Sequence, residues 1–395
     1  MRTHQRVKLT LWIILLLGFT IIYPFALYTD QPFIAKWRTL YIETAMSTMT
    51  HQWLATAFIP EDIIAEVQQG RANIMEYQKD VETIWTPGEH KTAMELVGEK
   101  ENEQVDEKEV FYTLFPELDR DSMEAFLEAH PDYLEDGYMK INIDWCTKGE
   151  NTGIVTTAGD HVMAVNASHS LLLCEVKGSL YNGRLAIVKD AERVDLGTCR
   201  SLFTGYGMRA PELADYTDAI LLTNASGFVD AEGNGSGGTP YGYLKVNGEK
   251  LQGAYGHEYK IIGFDAEHYL HIGGQSTAEE LVDAIEFGPA LIVNGENMMK
   301  YAYTGFGLQP RTAIGQAADK TVLLLVIDGR QTHSQGATIE TCKNILERYG
   351  AVQACNLDGG SSSVMYYNGR VITKPSTSSG NPDGRMLPNA FIVKN

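Results

Sequence analysis

The sequence predicts an α+β protein: a β-rich mixed-sheet domain containing a βαβ unit, preceded by an N-terminal transmembrane helix and a helical stalk. Three observations carry this expectation. An apolar run lies near the N-terminus, short β-rich segments separated by glycine and asparagine turns fill the chain from about Ile141, and a strand–helix–strand pattern occupies residues 321–372.

The apolar run at residues 9–28 contains LWIILLLGFTIIYPFALY and follows Arg2, Arg6 and Lys8. At about 20 residues it is long enough to cross a bilayer as a helix and long for the apolar part of a signal peptide. Positive charge ahead of it places the N-terminus in the cytoplasm and everything after Thr29 outside. The expectation is a single-pass protein of the cell membrane with its catalytic domain extracytoplasmic.

Residues 30–110 read as a juxtamembrane helical stalk followed by an acidic linker. Trp37, Leu40, Tyr41, Ala45 and Met49 recur at helical spacing before Pro60, and GEKENEQVDEKE is charged and poor in apolar residues. A formal charge of −19 argues against nucleic acid as a partner, because neutralising many phosphates needs clustered Lys and Arg. A few arginines in a cleft still suffice for one phosphorylated ligand. The five cysteines show no metal-ligand spacing and read as mostly small buried residues, and the sequence carries no signal for an oligomeric state.

The third segment, 141–395, holds the chemistry. TVLLLVI is a buried-strand run ending at Asp328-Gly329-Arg330; a helix is predicted over 338–349 with Gly350 as its stop; VQACNL is a second strand ending at Asp358-Gly359-Gly360. Parallel strands joined by a right-handed crossover bring Asp328 and Asp358 to the same sheet edge. The crossover helix starts there too, so N–H groups near Gly336 to Thr338 are expected to favour an anion. Around this edge Ser334, Thr338, Ser361, Ser362 and Ser363 offer hydroxyls, Gly359 and Gly360 permit close approach, and Arg311, Arg330 and Arg385 offer phosphate-binding forks. Glu340, in the first helical turn, is a third carboxylate candidate; its bland reading is an exposed acid that suits the helix dipole.

NASGF (224–228), PRTAIG (310–315), IDGR (327–330), SQGAT (334–338), NLDGGSSS (356–363) and LPNAF (387–391) follow one another in an order and spacing that resembles the phosphodiester glycosidase family. The likeness runs from about Val176 to the C-terminus. It implies removal of a sugar joined through its anomeric carbon to a phosphodiester, in an exopolysaccharide or other cell-surface glycan, and points at Asn224, Arg311, Asp328, Arg330, Ser334, Thr338, Asp358, Ser361 and Ser362. One Asp would serve as nucleophile or base and the other as acid or electrostatic stabiliser. A divalent Mg or Ca ion bridging Asp328, Asp358 and phosphate is the rival arrangement. Two further classes stay open: a metal-dependent phosphodiesterase or phosphotransferase acting on wall polymers, and a non-catalytic polysaccharide-binding assembly protein.

Overall fold

The computed structural model describes residues 2–48, 51–86, 88–146, 151–230, 235–254, 259–300, 306–377 and 379–395. The chain divides into two compact units, Met1–Asn73 with Tyr301–Gly307, and Ile74–Lys300 with Leu308–Asn395.

The first unit is helical. One helix runs Arg2–Tyr28 with Pro24 inside it, followed by Pro32–Met46 and the short Trp53–Thr56; Met49 lies outside the described residues. Among the described residues no helix is long and apolar enough to cross a membrane. This corrects the expected spanning segment at residues 9–28. The end of the apolar run has a protein partner: Tyr23 and Leu27 pack in a cluster with Ile42, Ala45, Ala55 and Ile63. Arg38 Nη1 donates to the carbonyls of Ala26, Leu27 and Thr29, satisfying groups that the helix end leaves unpaired.

The second unit begins well ahead of Ile141. The acidic stretch expected to be a linker instead forms helices Ala93–Asn102 and Glu107–Leu114. Thr92 and Glu95 cap the first reciprocally, Asp106 caps the second, and Val97, Val110, Phe111 and Leu114 are buried.

Among the described residues the strands form one nine-stranded and two five-stranded sheets. Across the large sheet the order is Asn142–Asp144, His161–Asn166, Leu171–Lys177, Asn182–Val188, Val322–Ile327, Arg311–Ala317, Ala351–Asn356, Ala290–Val293 and Glu296–Asn297. One small sheet is built from Val194–Thr198, Ala219–Asn224, Met365–Tyr367, Arg370–Val371 and Asn389–Lys394; the other from Leu244–Val246, Glu249–Gln252, Lys260–Phe264, Leu270–Gly273 and Asp283–Phe287. Leu324 and Val326 of the large sheet meet Leu221 and Phe391 of one small sheet and Ile262 and Ile285 of the other in a single core. All six residues of Val322–Ile327 are buried because the opposite face is covered by helix Ile339–Arg348, which sets Ile339, Cys342, Ile345 and Leu346 against the sheet.

Every strand pairing among the described residues is antiparallel. The mixed sheet with an adjacent parallel βαβ pair is thereby corrected. Val322–Ile327 and Ala351–Asn356 do run in the same direction, but Arg311–Ala317 lies between them and pairs antiparallel with both. Asn247-Gly248 and Asn368-Gly369 turn hairpins with positive φ at both residues, whereas Asn182-Gly183 starts a strand. All five cysteines are free, and four are buried.

Candidate active site

The antiparallel insertion leaves both Asp-Gly pairs at one edge of the sheet. Arg311 pairs with Ile327 and Ala313 with Asn356, so Asp328, Arg311 and Asp358 follow one another across three neighbouring strand ends. Two interstrand spacings separate the outer strands, about 10 Å of backbone. The connecting loops converge on one short segment, Gln309-Pro310. A Cβ on Gly329 would come 2.5 Å from Pro310 N, one on Gly336 2.6 Å from Gln309 O, and one on Gly359 2.9 Å from Pro310 O. Glycine in IDGR, SQGAT and LDGG therefore answers a common steric demand.

Asp328 is buried, and both carboxylate oxygens are engaged: Oδ2 with His333 Nε2 at 3.0 Å and Oδ1 with the Lys374 N–H at 2.8 Å. Ser334 is buried beneath it, donating to the Asp328 carbonyl at 2.5 Å and accepting the Asn182 N–H at 3.0 Å. These bonds close the loop that carries Arg330, whose φ of 57° is left-handed. Arg330 donates Nε and Nη2 to Gln309 Oε1 at 2.8 and 2.5 Å. Its fork rests over Gly360, where an added Cβ would lie 3.4 Å from Nη2.

Asp358 differs in kind. It is half-buried, and burial pushes its carboxyl up to about 6, against the opposing effects of the Ser362 hydrogen bond, Arg385 and the Gly359 N–H; Asp230 adds a further upward push. Arg385 Nη1 donates to Asp230 Oδ2 at 2.6 Å, and this bond holds the Asp230 carboxyl below the usual carboxylate range. The Asp358 backbone is fixed by Asn224, a fully buried residue whose Nδ2 donates to the Asp358 carbonyl at 2.6 Å. Asn224 is thus a brace under the Asp358 loop.

Other expected residues have local duties. Thr338 caps helix Ile339–Arg348, accepting the Thr341 N–H at 3.1 Å. The Gly336 N–H bonds to Leu180 O and the Ala337 N–H to Gln309 O, which corrects the expectation that these groups present themselves to an anion. Arg311 is buried and donates Nε to Ala337 O at 3.1 Å, bracing the same turn. Glu340 is exposed on the first helical turn and takes no part in the bonds described above. Ser361 is half-buried, and Ser363 lies in the hydroxyl chain from Thr312. Among the described residues no group of three or more His, Cys, Asp and Glu side chains is arranged to hold a metal ion. A bridging Mg or Ca ion would have to share the Asp328 oxygens with His333 Nε2 and the Lys374 N–H.

Sequence reasoning missed Gln309, Asp230 and Lys374. Position was the available signal: Gln309 directly precedes PRTAIG and Asp230 lies two residues after NASGF. Nothing marked the Lys374 contact, which is made by backbone alone.

Residues 217–394 match the family described as phosphodiester glycosidase. A prophage-derived uncharacterized protein, YomE, from Bacillus subtilis is 37% identical over 67 residues, 17% of this chain and 10% of that protein. A Deinococcus radiodurans protein named beta-ketoacyl-[acyl-carrier-protein] synthase III 2 is 28% identical over 178 residues, 41% of this chain and 51% of its own length. The chain thus spans about a tenth and about half of these two curated relatives. The zebrafish N-acetylglucosamine-1-phosphodiester alpha-N-acetylglucosaminidase catalytic domain, auto-inhibited by its pro-peptide, is a structural neighbour at 18% identity and a TM-score of 0.47, covering 57% of this chain and 82% of that one. Residues 217–394, which carry both Asp-Gly edges and their glycine-lined approach, are matched by the phosphodiester glycosidase family.

Proposed function

We propose that this chain hydrolyses the bond between a sugar's anomeric carbon and a phosphodiester in a cell-surface or exopolysaccharide glycan. The observation that carries the reading is Asp358: a half-buried carboxyl pushed up to about 6, flanked by the Arg385–Asp230 pair and by the Arg330 fork over Gly360. A carboxylate of that basicity is well matched to accept a proton from water near neutral pH. Water attacks the anomeric carbon and its proton passes to Asp358. The bond from that carbon to the phosphate oxygen breaks, and the bonding pair leaves with the phosphomonoester. Arg330 and Arg385 face the charge that develops on this leaving group. Asp328 acts at one remove, fixing the loop of Arg330 through His333, Ser334 and the Lys374 N–H.

Hydrolysis of a sugar 1-phosphodiester in ¹⁸O-water tests the reading. Label at the sugar's anomeric hydroxyl, with unlabelled phosphomonoester, is the expected result. Label in the phosphate would mean attack at phosphorus and a phosphodiesterase. Binding without turnover would leave the polysaccharide-binding alternative.

A further inference from the structure

Arg385 is ion-paired with one carboxylate, Asp230, and acts electrostatically on a second of unlike character, Asp358. Its Nη1 donates to Asp230 Oδ2 at 2.6 Å and its Nη2 to Gly235 O at 3.3 Å, with the guanidinium carbon 4.5 Å from the Phe228 ring centroid. Asp230 is itself held, accepting the Gly235 N–H on Oδ1 at 2.5 Å. Both side chains are largely shielded, at 16% and 17% exposure, so the pair is better insulated from solvent screening than a surface ion pair. The second carboxylate is Asp358, which Arg385 stabilises in its charged form and Asp230 opposes.

We propose that Asp230 is a positioning residue for phosphate recognition: it fixes the Arg385 guanidinium beside Asp358 and competes with the substrate's phosphate for that guanidinium. The proposal rests on the phosphodiester reading above. One cation cannot give its full charge to two anions, so phosphate binds against the Asp230 contact rather than in addition to it. Asp358 is affected in turn. The groups that face it are Arg385, Asp230, the Ser362 hydroxyl and the Gly359 N–H, with the Arg330 fork over neighbouring Gly360. Neutralising Asp230 removes the like charge from this set, while the Gly235 carbonyl and the Phe228 ring still hold Arg385. Asp358 then becomes more acidic and a weaker base, while the guanidinium becomes more available. Asp230 thus weakens ground-state hold on phosphate and keeps Asp358 basic, a combination that raises kcat and KM together.

The test uses the full chain carrying Asp230→Asn, Asp230→Glu, Arg385→Gln, and Asp230→Asn with Arg385→Gln. Inorganic phosphate binding is measured by calorimetry, and Asp358 is titrated by carbon NMR of its carboxyl, assigned with Asp358→Asn. Asp230→Asn is expected to bind phosphate about tenfold more tightly and to titrate Asp358 at lower pH. Asp230→Glu, which can re-form the pair, should restore parent values, and Arg385→Gln should abolish the effect of Asp230→Asn in the double variant. A folded Asp230→Asn with parent affinity and parent Asp358 titration would overturn the proposal. Should that variant melt below the assay temperature, Arg385→Gln alone decides, and undiminished phosphate affinity there overturns it. Neither readout needs turnover, so a parent protein that releases no reducing sugar would sink the glycosidase reading while these outcomes remain readable.

Discussion

The Asn224 side-chain amide donates to the Asp358 carbonyl at 2.6 Å. Its Oδ1 accepts from Thr312 Oγ1 at 2.8 Å and from the Val364 N–H at 3.1 Å. One fully buried side chain thereby ties the Asp358 loop to two other segments. Asn224→Ala leaves three buried polar groups without this partner, and stability should fall by about 2–4 kcal/mol. Turnover should fall as well, because Asp358 loses its fixed backbone. Thermal melts together with initial rates check this; a parent-like melt with full activity would remove Asn224 from the scaffold of the site.

Asp358 makes stability depend on pH in a defined direction. Its folded carboxyl titrates at about 6, above the ordinary value of 3.8, so the folded state binds the proton more tightly than the unfolded chain does. The stabilisation is fully present below the ordinary value and is lost as pH rises toward and through about 6. Asp358→Asn mimics the protonated form and escapes that loss. It should equal the parent near pH 4 but exceed it at pH 8 by about 2 kcal/mol, after allowance for partial exposure. The same variant should lose turnover, and the parent's rate should rise with pH through about 6 as the base ionises. A variant less stable than the parent at pH 8 would place Asp358 in a supporting role.

The two Asp-Gly edges were legible because TVLLLVI and VQACNL are apolar runs of strand length that stop abruptly at polar turns. The strand between them was not. Arg311–Ala317 mixes Arg, Thr, Gly and Gln with apolar residues, and although it forms a hairpin with the next strand, its second pairing, with Ala351–Asn356, is more distant in sequence than any local pattern reports. Helix Ala93–Asn102 was hidden by its charge, although Thr92 and Glu95 spell a capping box that composition alone overrides. Asn224 was read as a site residue that meets the ligand, and its part as a brace was hidden because burial is a property of the assembled sheets. The apolar run at 9–28 was read by length and hydropathy, and neither measure registers that Tyr23 and Leu27 have protein neighbours.

Asp328 should respond in the opposite sense to Asp358. Both of its oxygens accept bonds, and Asp328→Asn replaces one acceptor with a donor facing either His333 Nε2 or the Lys374 N–H. Stability should fall by about 1–3 kcal/mol, and turnover should slow because the loop carrying Arg330 loosens. His333→Gln, which keeps a polar partner at the more accessible end, should be milder in both measurements. An Asp328→Asn variant that is inactive yet as stable as the parent would show that Asp328 acts on substrate directly.

Where the chain can be shortened follows from the contacts of residues 74–140. Gln78 Nε2 donates to Ala290 O at 2.8 Å and Gln78 Oε1 accepts the Ala290 N–H at 2.9 Å. The Thr83 N–H donates to Ile272 O at 3.0 Å, and Lys260 Nζ reaches the carbonyls of Lys79 and Val81, both at 3.0 Å. Phe111, Leu114, Phe115 and Met123 are all fully buried. Starting the chain at Ile141 would expose the apolar surface these residues cover and leave the buried Lys260 ammonium without either carbonyl. Starting it at Ile74 keeps every one of these bonds. The shorter chain should therefore aggregate or melt without cooperativity, and the longer one should give a single sharp transition and bind phosphate as the full chain does. Cooperative melting of the chain that starts at Ile141 would show that residues 74–140 are an appendage rather than part of the fold.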